Sequence, residues 1–389
     1  MSMSTSRPGE IRALAGARAI PPLILVLYHY CEGHHYRNFK PFDLLIGHGY
    51  LWVEFFFALS GFILTYVYGA RALEFLQGRT YREFLVARLS RLYPLHLAML
   101  LYILALLIIL NAIAHATGTV SIYEEQYHPV VTWQTFIANL FLVQAWNIFP
   151  YLSWNGASWF VSVEFLLCLL FPIYMILTRG GWLSAFGLIV AGIIGLAILS
   201  LTGKHGLDIT FHNGIFRGMS AFAVGVGMCV LYGETKQWGD TLPEWAWSLA
   251  QALVLVAMGF GIFDNGWSHT PRDIYTVVPM LALVYVLAFD RGFAARFLQT
   301  RPLAKLGEWS YAIYMGQTAW LQFIRFVERA YPPDDTLVFG IRFGDLIWWP
   351  EPFVLLLVCV AWGALLCNTI EIPANRALRR FFASHPVPA

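Results

Sequence analysis

Two ionisable residues, Arg18 and His29, interrupt the first apolar segment of the chain and are the strongest candidates for chemistry. Ionisable side chains at membrane depth cost about 2.5 to 3.5 kcal/mol each, so they usually mark a functional site or a pathway. The two residues are eleven positions apart. In an ideal helix this spacing places their side chains within about 20° around the axis and about 16 Å apart along it. The spacing therefore predicts one helix face with a guanidinium at one level and an imidazole at another.

The composition predicts that this helix belongs to an integral membrane protein. Hydrophobic residues make up 58% of the 389 residues and charged residues only 12%, which excludes an ordinary soluble chain. A helix that crosses a bilayer needs about 20 predominantly apolar residues. Segments of roughly this kind recur along the chain and predict an all-α, polytopic membrane helix bundle of about ten transmembrane helices. The predicted spans are 13–31, 49–70, 92–114, 157–178, 182–202, 214–233, 245–263, 274–289, 306–328 and 352–372.

The loops between these spans predict a single transmembrane domain, 1–389, with a defined orientation. Lys and Arg accumulate in cytoplasmic loops. They cluster here after the second span, before the ninth and in the tail, which puts short tails 1–12 and 373–389 in the cytoplasm and a long loop, 115–156, outside. Within that loop, 134–147 is too short to span and predicts a re-entrant or interfacial helix. Arg18 should then lie near the cytoplasmic boundary and His29 in the outer half.

Two carboxylates at membrane depth are candidate partners for His29. Glu54 lies near the outer start of the second span, and Glu164 lies about two turns inside the fourth. A carboxylate beside a histidine fixes its tautomer and stabilises the imidazolium, which suits a general base. Both acids are therefore candidate catalytic residues, and Glu164 could instead accept a hydrogen bond from a substrate hydroxyl. The alternative is structural: a buried ion pair for Glu54 and a tether between helices for Glu164.

Three other arginines also have two interpretations each. Arg88 and Arg91 are three residues apart and share a helix face at the cytoplasmic end of the third span. Arginine binds phosphate oxygens bidentately, so the pair is a candidate phosphate clamp. Ordinary topology and snorkelling explain it equally well. Arg217, at the outer start of the sixth span, either meets an anionic acceptor or snorkels.

The sequence predicts no metal site. His34, His35 and His48 offer no set of three or four ligands at the spacing that zinc requires. The five cysteines are scattered and show no CxxC spacing, so we interpret them as packing residues.

Four segments together resemble the acyltransferase-3 family of integral membrane acyltransferases. They read LAGARAIPPLILVLYH, WVEFFFALSGFIL, FLVARLSRLYPLH and ASWFVSVEFLLCLLFP, in the order expected for the family. The resemblance implies transfer of an acyl group, most often acetyl, from cytosolic acyl-CoA to a hydroxyl beyond the membrane. It also implies a bacterial inner-membrane location, acyl-CoA as co-substrate rather than a tightly bound cofactor, and no nucleic-acid partner.

The resemblance assigns a role to each candidate residue. Arg18, Arg88 and Arg91 would bind acyl-CoA, and His29 would act as general base or transient acyl carrier, oriented by Glu54 or Glu164. A carbohydrate or glycoconjugate is the implied acceptor. Three tryptophans of the long outer loop are candidates for stacking on sugar faces, although an interfacial aromatic belt explains them as well: Trp133, Trp146 and Trp154.

The chain also departs from the family pattern. Pro21 and Pro22 follow Arg18, where proline can kink the helix. Gln317 stands where many members have a histidine. Two rival interpretations remain at this stage. A proton-coupled transporter or flippase would also need buried Glu, His and Arg, and a structural partner of an export complex would need no chemistry at His29.

Overall fold

The protein is described here from a computed structural model and consists mainly of long helices. The structure describes residues 9–34, 40–69, 74, 78–118, 130–265, 270–330, 337–338, 341–342 and 351–384. Their helices are α1 (Arg12–Ala17), α2 (Ile20–His34), α3 (Lys40–Gly47), α4 (Trp52–Tyr68), α5 (Arg79–Thr117), α6 (Trp133–Leu140), α7 (Ser158–Leu177), α8 (Trp182–Thr202), α9 (Gly214–Thr241), α10 (Glu244–Asn265), α11 (Asp273–Leu287), α12 (Phe293–Leu298), α13 (Arg301–Ala330), α14 (Glu351–Leu366) and α15 (Ile372–Ser384). A 3₁₀ turn, Gly49–Leu51, precedes α4, and a π-helical turn, Cys367–Glu371, joins α14 to α15. Two short strands, β1 (Leu337–Val338) and β2 (Ile341–Arg342), pair antiparallel.

The helical membrane fold predicted from the sequence is confirmed. Within the described residues, eight helical stretches are long and apolar enough to cross a bilayer, and each overlaps a predicted span. The other two predicted spans are helical as well. One is α11, an apolar helix of 15 residues, and the other is α13, which has 30 residues and a more polar composition. The orientation relative to the cytoplasm stays a prediction.

The predicted helix over 134–147 is shorter than expected. α6 covers eight residues, and Thr132 and Thr135 cap its start reciprocally. The following residues form turns, with positive φ at Leu142, Asn147 and Trp154. These turns connect α6 to α7. Residues 119–129 of the predicted outer loop lie outside the described residues.

The first span is not one continuous helix, so that part of the prediction is wrong. α1 ends at Ala17, a turn occupies Arg18 and Ala19, and α2 begins at Ile20. The cause lies in Pro21 and Pro22, which lack the N–H groups that would continue α1, although proline is tolerated in the first turn of a new helix. The ideal-helix relation between Arg18 and His29 therefore does not hold. Arg18 lies in the turn between α1 and α2.

Close backbone contacts fix the helices that surround this break. A Cβ on Gly225 of α9 would collide with the carbonyl oxygen of Ala58 in α4, and one on Gly307 of α13 would collide with that of Ala15 in α1. Small residues let membrane helices approach closely in this way. These two contacts allow α4 to pack closely on α9 and α1 to pack closely on α13. They thereby position the polar side chains that these helices carry.

Candidate active site

A partly open cavity, with about 650 Å³ of empty space that includes its mouth, lies where the α1–α2 break meets α4, α5, α7 and α13. Its lining contains three guanidinium groups, from Arg18 at the break and from Arg88 and Arg91 on α5. The structure thus brings together the three arginines that the sequence analysis assigned to acyl-CoA. Each is half-buried, so the groups remain accessible from the cavity.

One carboxylate, Glu164 of α7, faces these arginines and is only 3% exposed. Its Oε1 atom accepts a hydrogen bond from Arg88 Nη2 at 2.8 Å and another from Ser60 Oγ of α4. Its Oε2 atom is buried and has no hydrogen-bond partner in the described part of the chain. The lining therefore carries three formal positive charges and one negative charge. It also leaves one strong hydrogen-bond acceptor unused.

Arg91 lies between this cavity and the π-helical turn. Its nearest opposite charges include Glu371 of that turn and Glu164. No side-chain hydrogen bond from Arg18 or Arg91 to a carboxylate is found among the described residues, whereas Arg88 is held by Glu164. Arg18 and Arg91 are half-buried and line the cavity, so their N–H groups are accessible to a ligand. Arg18 and Arg91 are thus the guanidiniums best able to bind an anionic ligand.

The lining also includes a cluster of three aromatic rings, Phe56 of α4, Phe160 of α7 and Tyr314 of α13. The ring centroids are 5.7 Å apart for Phe56 and Phe160, 6.4 Å for Phe56 and Tyr314, and 5.7 Å for Phe160 and Tyr314. Phe56 lies four residues before Ser60 and Phe160 four before Glu164, so each helix presents its ring one turn from its polar residue. The cavity therefore combines a polar, cationic part with an aromatic wall.

His29 lies outside this lining and is linked to it through α13. Its Nδ1 atom is 3.2 Å from Oε1 of Gln317, which is 1% exposed. Gln317 Nε2 in turn donates to the main-chain oxygen of Tyr314 at 3.0 Å. Tyr314 lines the cavity, so His29 contacts α13 one helical turn after a residue of the aromatic cluster. His29 is half-buried and accessible.

Glu54, the other predicted partner of His29, is placed elsewhere. Arg217 of α9 binds both of its carboxylate oxygens, through Nε to Oε1 and through Nη2 to Oε2 at 2.8 Å. Arg217 also donates to the main-chain oxygens of Ile209 and Tyr50. Both side chains are fully buried. Of the two interpretations offered for Glu54, this geometry matches the structural ion pair, and the described hydrogen-bond partner of His29 is Gln317 instead.

Two further polar side chains, of Ser162 and His96, hold the fold together. Ser162 Oγ of α7 donates to the main-chain oxygen of Leu142 and accepts from the main-chain nitrogen of Ala145. His96 Nε2 lies 2.8 Å from the main-chain oxygen of Asn139. These contacts attach α6 to α5, and the turns after α6 to α7.

The described residues contain no group of three or more His, Cys, Asp or Glu suited to a metal ion. Of the histidines considered for zinc, His35 lies outside the described residues, as does the side chain of His34. Cys168, Cys229, Cys359 and Cys367 are buried and have free thiols, and Cys31 is half-buried.

Sequence reasoning missed Ser60, the aromatic cluster and the Gln317 contact to His29. A signal for the first two was present, since Phe56 with Ser60 and Phe160 with Glu164 have the i, i+4 spacing of one helix face. The contact of Gln317 with His29 joins residues 288 positions apart and depends on how α13 packs on α2. The sequence indicated Gln317 only as a departure from the family pattern.

Long apolar helices around a cavity lined by three guanidiniums define a multi-pass membrane protein. The chain belongs to the acyltransferase-3 family, because the family model described as an acyltransferase domain matches residues 11–368. The resemblance carried by the four sequence segments is thereby confirmed. The protein is a membrane-embedded acyltransferase.

Two curated relatives match over different lengths. The chain is 26% identical over 368 residues to acyltransferase MdmB of Streptomyces mycarofaciens, covering 88% of this chain and 85% of that protein. It is 32% identical over 174 residues to protein 2 in the picA locus of Rhizobium radiobacter, covering 40% of this chain and 86% of that protein. No solved structure matches the chain significantly.

Proposed function

We propose that the protein moves an acetyl group from cytosolic acetyl-CoA to a hydroxyl of an extracytoplasmic carbohydrate or glycoconjugate, in a bacterial inner membrane. The observation that carries the proposal is the convergence of Arg18, Arg88 and Arg91 on one cavity with an aromatic wall. Acyl-CoA combines phosphate groups at one end with a small acyl thioester at the other. The cavity offers complementary chemistry for both ends.

The guanidiniums support a phosphate-bearing donor. Charge-assisted hydrogen bonds from arginine to phosphate are short and frequently bidentate. Arg18 and Arg91 are the two that no carboxylate neutralises by a hydrogen bond in the described structure. They would bind phosphate oxygens, while Arg88 stays with Glu164 and keeps that carboxylate in position.

The unused oxygen of Glu164 supports a ligand with N–H donors. Oε2 is buried at the cavity wall without a partner, which is costly unless a ligand or water supplies a donor. The pantetheine arm of CoA carries two amide N–H groups along its length. Glu164 would accept one of them, so its role is donor binding rather than proton transfer at His29.

His29 would carry out the transfer at the other side of the α13 turn. As general base, it would remove the proton of the acceptor hydroxyl while that oxygen attacks the thioester carbon. The C–O bond forms, the C–S bond breaks, and the proton passes to the leaving thiolate to give free CoA. As transient acyl carrier, its ring nitrogen would first attack the thioester carbon, so that an N–C bond forms, the C–S bond breaks and CoA leaves. The acceptor oxygen would then attack the acyl carbon, the C–N bond would break, and the hydroxyl proton would pass to the imidazole. Both routes need an unprotonated ring nitrogen that faces the substrates.

The carbohydrate acceptor rests on family analogy and on one exposed aromatic ring. Of the three tryptophans considered for sugar stacking, Trp154 donates to Thr135 and is buried, and Trp146 donates to the main-chain oxygen of Ser162. Trp133 is 69% exposed. It is thus the outer-loop tryptophan best able to contact a sugar face, although a bilayer interface would accommodate it equally.

The test is direct acetyl transfer by purified protein in liposomes. Acetyl-CoA and extracted envelope glycans are supplied, and both free CoA and acetylated glycan are measured. His29→Ala should abolish transfer while acetyl-CoA binding persists. His115→Ala, the same change at an exposed histidine of α5, should leave transfer unchanged. Transfer at the wild-type rate by folded His29→Ala would contradict the proposed role of His29.

The same preparation separates the enzyme from a proton-coupled transporter or flippase. Transport would depend on a proton gradient and would be indifferent to acetyl-CoA, whereas transfer releases CoA without a gradient. Membership of an acyltransferase family favours the enzyme. A protein that binds no acyl-CoA at all would overturn the proposal.

A further inference from the structure

We propose that Gln317 is a positioning residue that fixes the tautomer of His29. The amide holds the ring proton on Nδ1 and leaves the lone pair of Nε2 for the reaction. This inference rests on the proposed function, because it explains how His29 presents an unprotonated nitrogen. It adds a residue to which neither the base nor the acyl-carrier route had given a role.

The first step is the orientation of the Gln317 amide. A glutamine amide has a donor side, Nε2, and an acceptor side, Oε1. Nε2 donates to the main-chain oxygen of Tyr314, one turn earlier in the same helix, at 3.0 Å. A carbonyl oxygen accepts and does not donate, so this contact commits the nitrogen to that side. Oε1 must then face His29.

The second step is the proton on the ring. The Gln317 Oε1 atom is only an acceptor, and it lies 3.2 Å from His29 Nδ1. A hydrogen bond between them requires the proton on Nδ1. In a neutral imidazole the other nitrogen, Nε2, then carries the lone pair. Because Gln317 is 1% exposed, water has little access to compete for this contact.

The third step is the rigidity of the α13 backbone around Gln317. Asn155, just before α7, donates through Nδ2 to the main-chain oxygen of Met315 at 3.0 Å. Its Oδ1 atom accepts from Thr318 Oγ1 at 2.7 Å. Met315 and Thr318, which flank Gly316 and Gln317, are thus both hydrogen-bonded to the Asn155 side chain. A positioning residue needs such support, because a loosely held amide would select neither tautomer.

The packing of α13 on α2 holds His29 in the same way. Val26 and Tyr30 of α2 pack with Ile313 and Leu321 of α13 in one buried cluster. His29 follows Tyr28 and precedes Tyr30, so the contact to Gln317 lies within this interface. The amide therefore does for His29 what a buried carboxylate does for the histidine of a serine protease, where the wrong tautomer costs about 10⁴-fold in kcat.

The experiment compares Gln317→Met with Gln317→Glu in the liposome assay. Methionine has a similar length and removes the acceptor, so kcat should fall by about 10- to 100-fold, below the protease effect because the ring can still sample the right tautomer. KM for acetyl-CoA should change little. Glutamate keeps an oxygen toward His29 but loses the bond to Tyr314, so its kcat should fall between those of the wild type and Gln317→Met. Gln322→Met is the matched control, because it makes the same change on the same helix.

A second measurement reads the tautomer itself. Solid-state ¹⁵N NMR of histidine-labelled protein, with the His29 signal assigned by its loss in His29→Gln, should show the Nδ1-protonated ring in the wild type. Gln317→Met should shift the population toward Nε2 protonation. An unchanged tautomer, or an unchanged kcat in Gln317→Met when His29→Ala is inactive, would overturn the inference. Full activity of His29→Ala would instead overturn the proposed role of His29, and the spectrum would still report on the contact.

Discussion

The substitution Glu54→Gln is expected to weaken the fold and to spare the reaction. Glu54 and Arg217 are fully buried, and the guanidinium binds both carboxylate oxygens. Its other hydrogen bonds go to the main-chain oxygens of Ile209 and Tyr50. The pair therefore links α9 to the start of α4. The main-chain contacts of Arg217 add the residues before these helices, Tyr50 before α4 and Ile209 before α9. It makes no described contact with His29.

The size of the effect follows from what the substitution leaves behind. Breaking a buried ion pair by removing one charge costs about 3–5 kcal/mol, because the other charge stays buried without compensation. Glutamine still offers one amide oxygen, so we expect the lower end of the range. About 3 kcal/mol changes the unfolding equilibrium more than a hundredfold. Replacing both partners together, with Glu54→Leu and Arg217→Met, should cost much less than either change alone.

The assay is unfolding of the detergent-solubilised protein, followed by tryptophan fluorescence, with turnover expressed per folded molecule. Glu234→Gln serves as the control, since it makes the same change at an exposed position of α9. Glu54→Gln should unfold at lower denaturant than this control while its folded fraction turns over at close to the wild-type rate. Wild-type stability combined with a large loss of turnover would refute the structural role and return Glu54 to the chemistry of His29.

Three further predictions concern the cavity and the helix packing. Arg91→Gln should raise KM for acetyl-CoA about tenfold or more, since a hydrogen bond to a charged group contributes about 1.5–3 kcal/mol. Initial-rate measurements test this. Arg82→Gln, the same change at an exposed position of the same helix, should leave KM unchanged. Phe160→Ala should raise the rate with butyryl-CoA relative to acetyl-CoA by removing a ring from the cavity wall, and competition assays with Phe323→Ala as an exposed control would count against this if both variants kept the wild-type ratio. Gly225→Leu should abolish folding because its side chain would enter the backbone of α4, whereas Gly233→Leu, with open space around it, should give a normal monodisperse peak in size-exclusion chromatography.

Apolar segment length predicted the fold well, because in a bilayer each backbone group must find its partner within its own helix. The boundaries were less predictable where polar residues continue a helix past its apolar core. α5 begins at Arg79, well before the predicted start at residue 92, and so carries Arg88 and Arg91 as helical residues. Their spacing on one face was therefore correctly interpreted, although the span that contained them was drawn too short.

The partner of Glu54 was missed because pairing in the bundle depends on which helices touch. Glu54 lies near the start of α4 and Arg217 near the start of α9, so a carboxylate and a guanidinium share a depth in two helices of the same predicted direction. Opposite charges at one depth were a usable signal. The predicted orientation places His29 at a similar depth in the preceding span, and adjacency in sequence favoured His29 over Arg217 as the partner of Glu54. The close packing of α4 on α9 at Gly225 decides between them.

An uncharged partner at position 317 has a consequence for the transfer itself. His29 already places one ionisable group at membrane depth, and a second charge beside it would add to the cost. Gln317 orients the ring without that charge, yet a neutral amide stabilises an imidazolium less than a carboxylate would. A proton that Nε2 takes from the acceptor should therefore pass to the leaving thiolate more readily than it would with a carboxylate at position 317. In Gln317→Glu the carboxylate should stabilise the protonated ring, so that return of the proton to the thiolate becomes the slower step. The solvent deuterium isotope effect on kcat should then be larger than in the wild type.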